Sequence, residues 1–216
     1  ARGHGVSLTS LVIAAIMCAI CAEMPRRERH RAIRLDVPVD LRQHFKSTTT
    51  KNFFGLAFVS YVPGDEDEPG EQVAAKVQEQ LRVATDPESL KPRMNRMIAL
   101  EKNPLLRLAP LFVKDALLEL ASRFTARETT TVSNLGRVTL DERLARHVRS
   151  VSFLTTPASL NFTVCSFGDD LSIGISTAYS NPDVVKNFVR YFSGCGIEGL
   201  ININKTSAEV AEDRLG

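Results

Sequence analysis

Residues 33–54, IRLDVPVDLRQHFKSTTTKNFF, decide how the chain is read. Ile33, Leu35, Val37 and Val39 alternate with Arg34, Asp36 and Pro38, the period-two pattern of a strand with one buried face. Pro38 puts that end of the strand at an edge or outside the hydrogen-bonded ladder. A turn carrying Asp40 and Arg42 follows, then the polar loop KSTTTK and a second strand opening at Asn52. An arginine on the shoulder of a strand suits a planar, two-point grip on a carboxylate. Asp40 offers a local partner, which reads as a surface turn closed by its own ion pair. The sharper alternative is that Arg42 reaches a carboxylate elsewhere.

Outward from this stretch, residues 52–62, NFFGLAFVSYV, are nearly continuously apolar and predict a central strand. Upstream, residues 5–23 predict a helix capped by Ser7 or Thr9 and apolar almost all round, hence covered on all sides. Downstream, PGDEDEPG at residues 63–70 is a solvated acidic loop whose contiguous acids lack calcium-loop spacing. Residues 71–83 form an amphipathic helix with Val73, Val77 and Leu81 inward, and a short helix spans residues 93–102. Asn103-Pro104 starts another, running to Phe124 with a kink or early break at Pro110 and with Leu105, Leu108, Phe112, Leu117, Leu120 and Ala121 inward.

Strands are expected at residues 129–138, where Ser133, Asn134 and Gly136 demand a turn or bulge, and at residues 147–155. A hairpin pairs residues 160–167 with 171–177 around Gly168-Asp169-Asp170. Asn181-Pro182 opens a last helix, residues 199–203 form a short strand, and residues 204–216 are a flexible tail. The order of elements predicts an α+β fold in two layers, a mixed sheet with helices mainly on one face.

The 216 residues, 44% of them hydrophobic, suffice for one domain or two small ones. A net charge of +2 and a pI near 8.4 are too weak a basic bias for a nucleic-acid partner. The one basic cluster, PRRERHR at residues 25–31, reads as a solvated loop. The apolar run at residues 11–22 is short for a membrane span, and Ser7, Thr9 and Ser10 interrupt its start as a signal peptide. Cys18 and Cys21 lie three apart on the apolar helix with no second pair, so inert buried thiols are expected. Together with Cys165 and Cys195 this usage fits a reducing compartment and a cytoplasmic location. None of His4, His30, His44 and His147 stands in a recognisable acid–base motif, and no nucleophile elbow, phosphate loop or metal-ligand pair occurs.

VPVDLRQHF, TKNFFG, TTTVSNLGRV and FGDDLSIGISTAYS, in this order, resemble the C-terminal half of coenzyme A-dependent acyltransferases. This superfamily includes chloramphenicol acetyltransferase and the condensation domains, and the bacterial alcohol acetyltransferase-like branch is the most similar. HGVSLTSLVIAAIMCAI is similar to the helix that begins that half, and the likeness covers almost the whole chain. The plant-type DFGWG signature is absent. The resemblance implies one lobe, residues 1–203, of a two-lobed enzyme with a tunnel between lobes. The catalytic histidine sits in an HHxxxDG motif of the N-terminal lobe, which this sequence lacks, so the chain alone is expected to be inactive. Arg42, with Asp40, would support that motif by gripping its aspartate from across the interface. Asn52, Ser133, Asn134 and Gly136 are implied as tunnel or oxyanion positions. Acyl-CoA is the implied co-substrate, an alcohol or amine the acceptor, and the N-terminal lobe the partner. Two other readings stand beside this one: a non-catalytic binding or self-association module of the same fold, acting as a homo-oligomer, and an unrelated enzyme using Cys165 or His147.

Overall fold

A computed structural model describes residues 5–50, 52–104, 108–125, 128–155 and 159–204. The first helix, α1 (Leu8–Glu23), begins where the Ser7 hydroxyl accepts the Ser10 N–H at 3.1 Å and ends ahead of Pro25. Val12 through Met17 are all fully buried, so no side of this helix is left for water. The sheet and two further helices wrap it.

The sheet consists of β1 (Ile33–Asp40), β2 (Phe54–Tyr61), β3 (Thr130–Arg137), β4 (Leu160–Phe167) and β5 (Asp170–Thr177), in the order β2-β1-β3-β4-β5. β1–β3 and β3–β4 pair in parallel, and the two outer pairs are antiparallel. The remaining helices are α2 (Gly70–Ala84), α3 (Pro87–Lys102), α4 (Leu111–Thr125), the single turn α5 (Glu142–Ala145) and α6 (Asp183–Gly194). Leu35, Val37, Val59, Val132, Phe162 and Val164 project from one face of the sheet into the core shared with α1, α2 and α6, where Phe188 stacks against Phe162. The two-layer α+β architecture is therefore present, with a mixed sheet.

Several expectations need correction. β2 is an edge strand, not a central one. Ala57, Val59 and Tyr61 are buried against the helices, while Phe54, Leu56 and Phe58 occupy the other face and are exposed. A continuous apolar run thus marks two apolar faces, only one of them covered. The free edge of β2 is guarded instead by side chains. Gln80 accepts from the Ser60 N–H at 2.8 Å and donates to the Ser60 carbonyl at 2.9 Å, and Arg93 donates to the Leu56 carbonyl at 3.2 Å. Pro38 lies inside the β1–β2 ladder, opposite Leu56, but beyond the last β1–β3 pair, Asp36–Thr131. β2 itself opens at Phe54, two residues after Asn52.

Residues 147–155 are no strand. Both sides of β4 are already taken by β3 and β5, so this segment crosses the helix-free face as a strap. Its carbonyls accept side-chain bonds from below: Phe153 from Thr163 Oγ1 at 2.5 Å, Val151 from Cys165 Sγ at 3.2 Å, and Thr155 from Ser176 Oγ at 2.7 Å. Residues 199–203 also join no ladder, and Leu200 is 93% exposed. α3 begins at Pro87 rather than at residue 93, because Asp86 Oδ2 accepts the Glu88 N–H at 3.0 Å and Pro87 takes the first helical position; Pro92 lies inside the helix, which runs through it at the loss of one backbone hydrogen bond. The break at Pro110 is present, yet Leu108 and Phe112, expected inward, are 84% and 74% exposed, and Leu117 is exposed as well. Helical period alone does not say which face has a partner. The expectations for Leu105, Leu120, Ala121 and residues 205–216 fall outside the described residues.

The β4–β5 hairpin turns on Gly168-Asp169, with Gly168 at φ +59°. Gly174 in β5 has a different reason for lacking a side chain. A Cβ there would meet Phe153 O at 2.6 Å and Leu154 Cδ2 at 2.7 Å, under the strap. Gly174→Ala should lower the urea midpoint by an amount equivalent to about 1–3 kcal/mol. Gly194→Ala, at the end of α6 with open space around it, should be neutral or stabilising by up to ~1 kcal/mol in the same titration.

Candidate functional site

The polar residues that interrupt the start of α1 organise a cleft. Gln78, on α2, accepts from the Ser7 N–H at 2.8 Å and from the Ser10 hydroxyl at 2.9 Å. Thr9 Oγ1 accepts from Asn134 Nδ2 at 2.8 Å, and Asn134 Oδ1 accepts the Gly136 N–H at 2.7 Å. The N-terminus of α1 is thereby tied to both α2 and the end of β3. β3 carries a bulge between Asn134 and Gly136, and Gly136, at φ +71°, supplies a backbone conformation that side chains disfavour. Nothing crowds Gly136, so its conformation explains the glycine where close approach does not.

Between these ties and the end of β1 opens a cleft of about 600 Å³. Val37, Val39, Leu81 and Leu135 line it with apolar surface, and Asp40, Gln43, Gln78, Arg82 and Asn134 supply polar groups. Of the residues expected at a site, Asp40, Asn134 and Gly136 meet here. Ser133 does not: it pairs with Thr163, whose hydroxyl reaches the strap, and so lies on the opposite face of the sheet from Asn134. Asn52 is exposed and lines no part of the cleft. Thr9 was read from the sequence only as a possible helix cap, and Gln78 was not singled out. The available signal was three hydroxyl residues at the start of an otherwise apolar helix, of which Ser10 is buried and Thr9 half-buried.

Arg42 stands just beyond, in the 3-10 turn Leu41–Gln43 that Asp40 caps by accepting the Arg42 N–H at 3.1 Å. Its guanidinium donates to Asp40 Oδ1 at 3.3 Å and to the Thr49 carbonyl at 3.2 Å, and lies 5.9 Å from the Phe53 ring centroid. The local ion pair exists, and both partners are more than a third exposed. Such a pair is worth about 0.2–1 kcal/mol.

The other candidate groups are quiet. Burial pushes the Cys18 thiol up to about 11 and raises Cys21 too, which makes both poor nucleophiles. Cys165 is buried and occupied with the strap, and His147 accepts from Arg146 Nε at 3.1 Å just after α5, in a turn and not a strand. Among the described residues no three His, Cys, Asp or Glu are placed to hold a metal ion, and no helix is long and apolar enough to cross a membrane. Among the described residues Asp36 is the one buried carboxyl. Desolvation raises its pKa, while the Thr131 hydroxyl, donating at 2.7 Å, opposes the rise.

Residues 1–176 match the family profile described as phthiocerol/phthiodiolone dimycocerosyl transferase C-terminus. Two structures of the nonribosomal peptide synthetase FmoA3 superpose with TM-scores of 0.55 and 0.52 at 18% identity, over 91% of this chain and 19% and 20% of theirs. Polyketide synthase associated protein 5 from Mycobacterium tuberculosis superposes at 16% identity with a TM-score of 0.49, over 88% of this chain and 45% of its own. At such identities the FmoA3 likeness is one of fold, and the chain spans less than half the length of each of these proteins. No curated protein matches by sequence.

Thr9→Val should cost about 1 kcal/mol in denaturant unfolding by stranding the Asn134 amide, and Thr9→Val/Asn134→Ala should cost less than the sum of the two single changes, because they break one bond. Since burial raises the Asp36 pKa in the folded protein, the protonated form is the favoured one. Its stabilising contribution is complete below the ordinary value of 3.8 and is lost as pH rises through the folded value. Asp36→Asn should therefore be more stable than the parent at pH 7, with the difference vanishing in melts run near pH 3.

Proposed function

The chain belongs to the phthiocerol/phthiodiolone dimycocerosyl transferase C-terminus family, and on that premise we propose that it is the C-terminal lobe of an acyl-CoA-dependent O- or N-acyltransferase. Its partner is an N-terminal lobe bearing HHxxxDG. In this reading the histidine of that motif takes the proton of an alcohol or amine, whose heteroatom attacks the donor thioester. The tetrahedral oxyanion collapses, the new ester or amide forms, and the thiolate of coenzyme A leaves and is protonated. The cleft between α1, α2 and the β3 bulge contributes one wall of the tunnel.

The observation that carries the reading is the uncovered face of β2. Phe54, Leu56 and Phe58 are 52%, 37% and 44% exposed on one face of a strand that begins one residue after Phe53, the ring beside Arg42. An apolar stripe near an exposed guanidinium suits a partner that supplies both a greasy surface and a carboxylate.

Co-expression with a family N-terminal lobe bearing HHxxxDG tests this. The two chains should co-elute and consume acyl-CoA, whereas this chain alone should show no turnover. Phe58→Glu should abolish co-elution and leave the circular dichroism melt of the isolated chain unchanged. Turnover by the isolated chain, or undiminished association of the Phe58→Glu variant, would rule the reading out.

A further inference from the structure

Two exposed surfaces, far apart in sequence, are complementary in charge. The first lies on α4, which makes no extensive contact with any other described element. Leu111, Phe112, Asp115 and Glu119 recur at helical spacing on one side of it, and all four are exposed. Leu108, ahead of Pro110, is exposed as well. The stripe is therefore apolar at its start and acidic one and two turns on.

The second surface is the segment that follows β3. The Leu144 N–H donates to the Asp141 carbonyl at 2.9 Å, the His147 N–H to the Leu144 carbonyl at 2.9 Å and the Val148 N–H to the Ala145 carbonyl at 3.2 Å, so residues 141–148 wind as one run around α5. That winding sets Arg146 one turn beyond Arg143, with Leu144 beside them. Leu140 and Leu144 are exposed, and so are Arg143, Arg146 and Arg149. Elsewhere many surface cations are answered by acids of the same lobe, as in Arg29–Asp67, Arg82–Glu79, Lys91–Glu88 and Lys186–Asp183. Among the described residues no acid forms an ion pair with Arg143, Arg146 or Arg149. Asp141, in the same segment, spends Oδ1 on the Arg143 backbone N–H at 2.9 Å.

An anionic membrane would accept Leu108, Leu111 and Phe112 but repel Asp115 and Glu119 on the same side of α4. The chain itself carries the matching surface: guanidiniums for the carboxylates and leucines for the leucine and phenylalanine. One such contact is small, since a stable interface buries about 1,000 Å² or more, and a twofold axis makes the contact twice. We propose that this chain forms a twofold dimer in which α4 of each copy lies along residues 140–149 of the other. Asp115 and Glu119 then face Arg143 and Arg146, and Leu111 and Phe112 face Leu140 and Leu144. The dimer goes beyond the acyl-transfer reading and does not depend on it.

Sedimentation equilibrium of the full chain tests the pairing. The parent chain should dimerise, more weakly as salt rises. Asp115→Arg/Glu119→Arg should raise the dimer Kd more than about tenfold, and Arg143→Glu/Arg146→Glu should do the same, because like charges then face each other. Both variants should melt at the temperature of the parent diluted to monomer, since all four side chains are exposed. Mixing the two variants in equal amounts should restore the dimer at the parent's strength, because every contact again joins opposite charges. A parent chain that stays monomeric up to about 100 μM, a variant that dimerises as the parent does, or a mixture that stays monomeric overturns the dimer. Loss of co-elution with the co-expressed N-terminal lobe in Asp115→Arg/Glu119→Arg, from a parent chain that is itself monomeric, assigns the α4 face to that lobe and overturns the dimer as well.

Discussion

A helix with no polar side has to be enclosed, and the enclosure of α1 is the constraint from which the rest of the structure follows. Six consecutive residues, Val12 to Met17, have no exposure at all. An amphipathic helix needs one neighbour, whereas this one needs the sheet beneath it and α2 and α6 on its flanks. Burying a side chain of the size of Ile13, Ile16 or Met17 is worth roughly 1.5–3 kcal/mol each. The stripe of α6 and the inward face of α2 have α1 as their common partner. Remove it, and the helix layer loses its centre.

The same burial explains where the cleft lies. Of the polar residues at the start of α1, Ser10 is buried, Thr9 half-buried and Ser7 exposed, and each has a protein partner. Gln78 satisfies Ser7 and Ser10, and Asn134 binds Thr9. These bonds set the distance between α2, α1 and the bulged end of β3, and the space left over is the cleft. Asn134 faces it as a consequence of strand alternation, which sends Ser133 to the strap side. The Ser133-Asn134-Leu135-Gly136 segment thus divides its side chains between two environments.

Covering is completed on the helix face and only partly on the other. The strap over β4 and β5 gives Thr163, Cys165 and Ser176 their partners, and Gly174 leaves room for it. Among the described residues no comparable cover lies over the outer face of β2, where Phe54, Leu56 and Phe58 are exposed, with Arg93 across the Phe58 ring at 5.8 Å. Gln80 and Arg93 block the strand's free backbone edge, so a partner for this region is expected to meet its face rather than extend its ladder.

Much of this was legible in the amino-acid sequence, because local rules suffice where a residue's environment is set by its neighbours along the chain. The all-round apolar helix, the alternation of β1, the Gly168-Asp169 hairpin, the Asn181 cap of α6 and the glycine of the β3 bulge all follow from side-chain period and backbone preference. The Asp40–Arg42 pair was readable for the same reason. What required the tertiary structure was the assignment of partners. Whether the apolar run of β2 was central or at an edge depended on which strands flank it. Whether residues 147–155 paired depended on β4 having no free side. Whether Thr9 and Gln78 mattered depended on contacts more than sixty residues apart. Period and propensity tell which faces of a segment are apolar or polar; only the assembled fold tells which of those faces another segment covers.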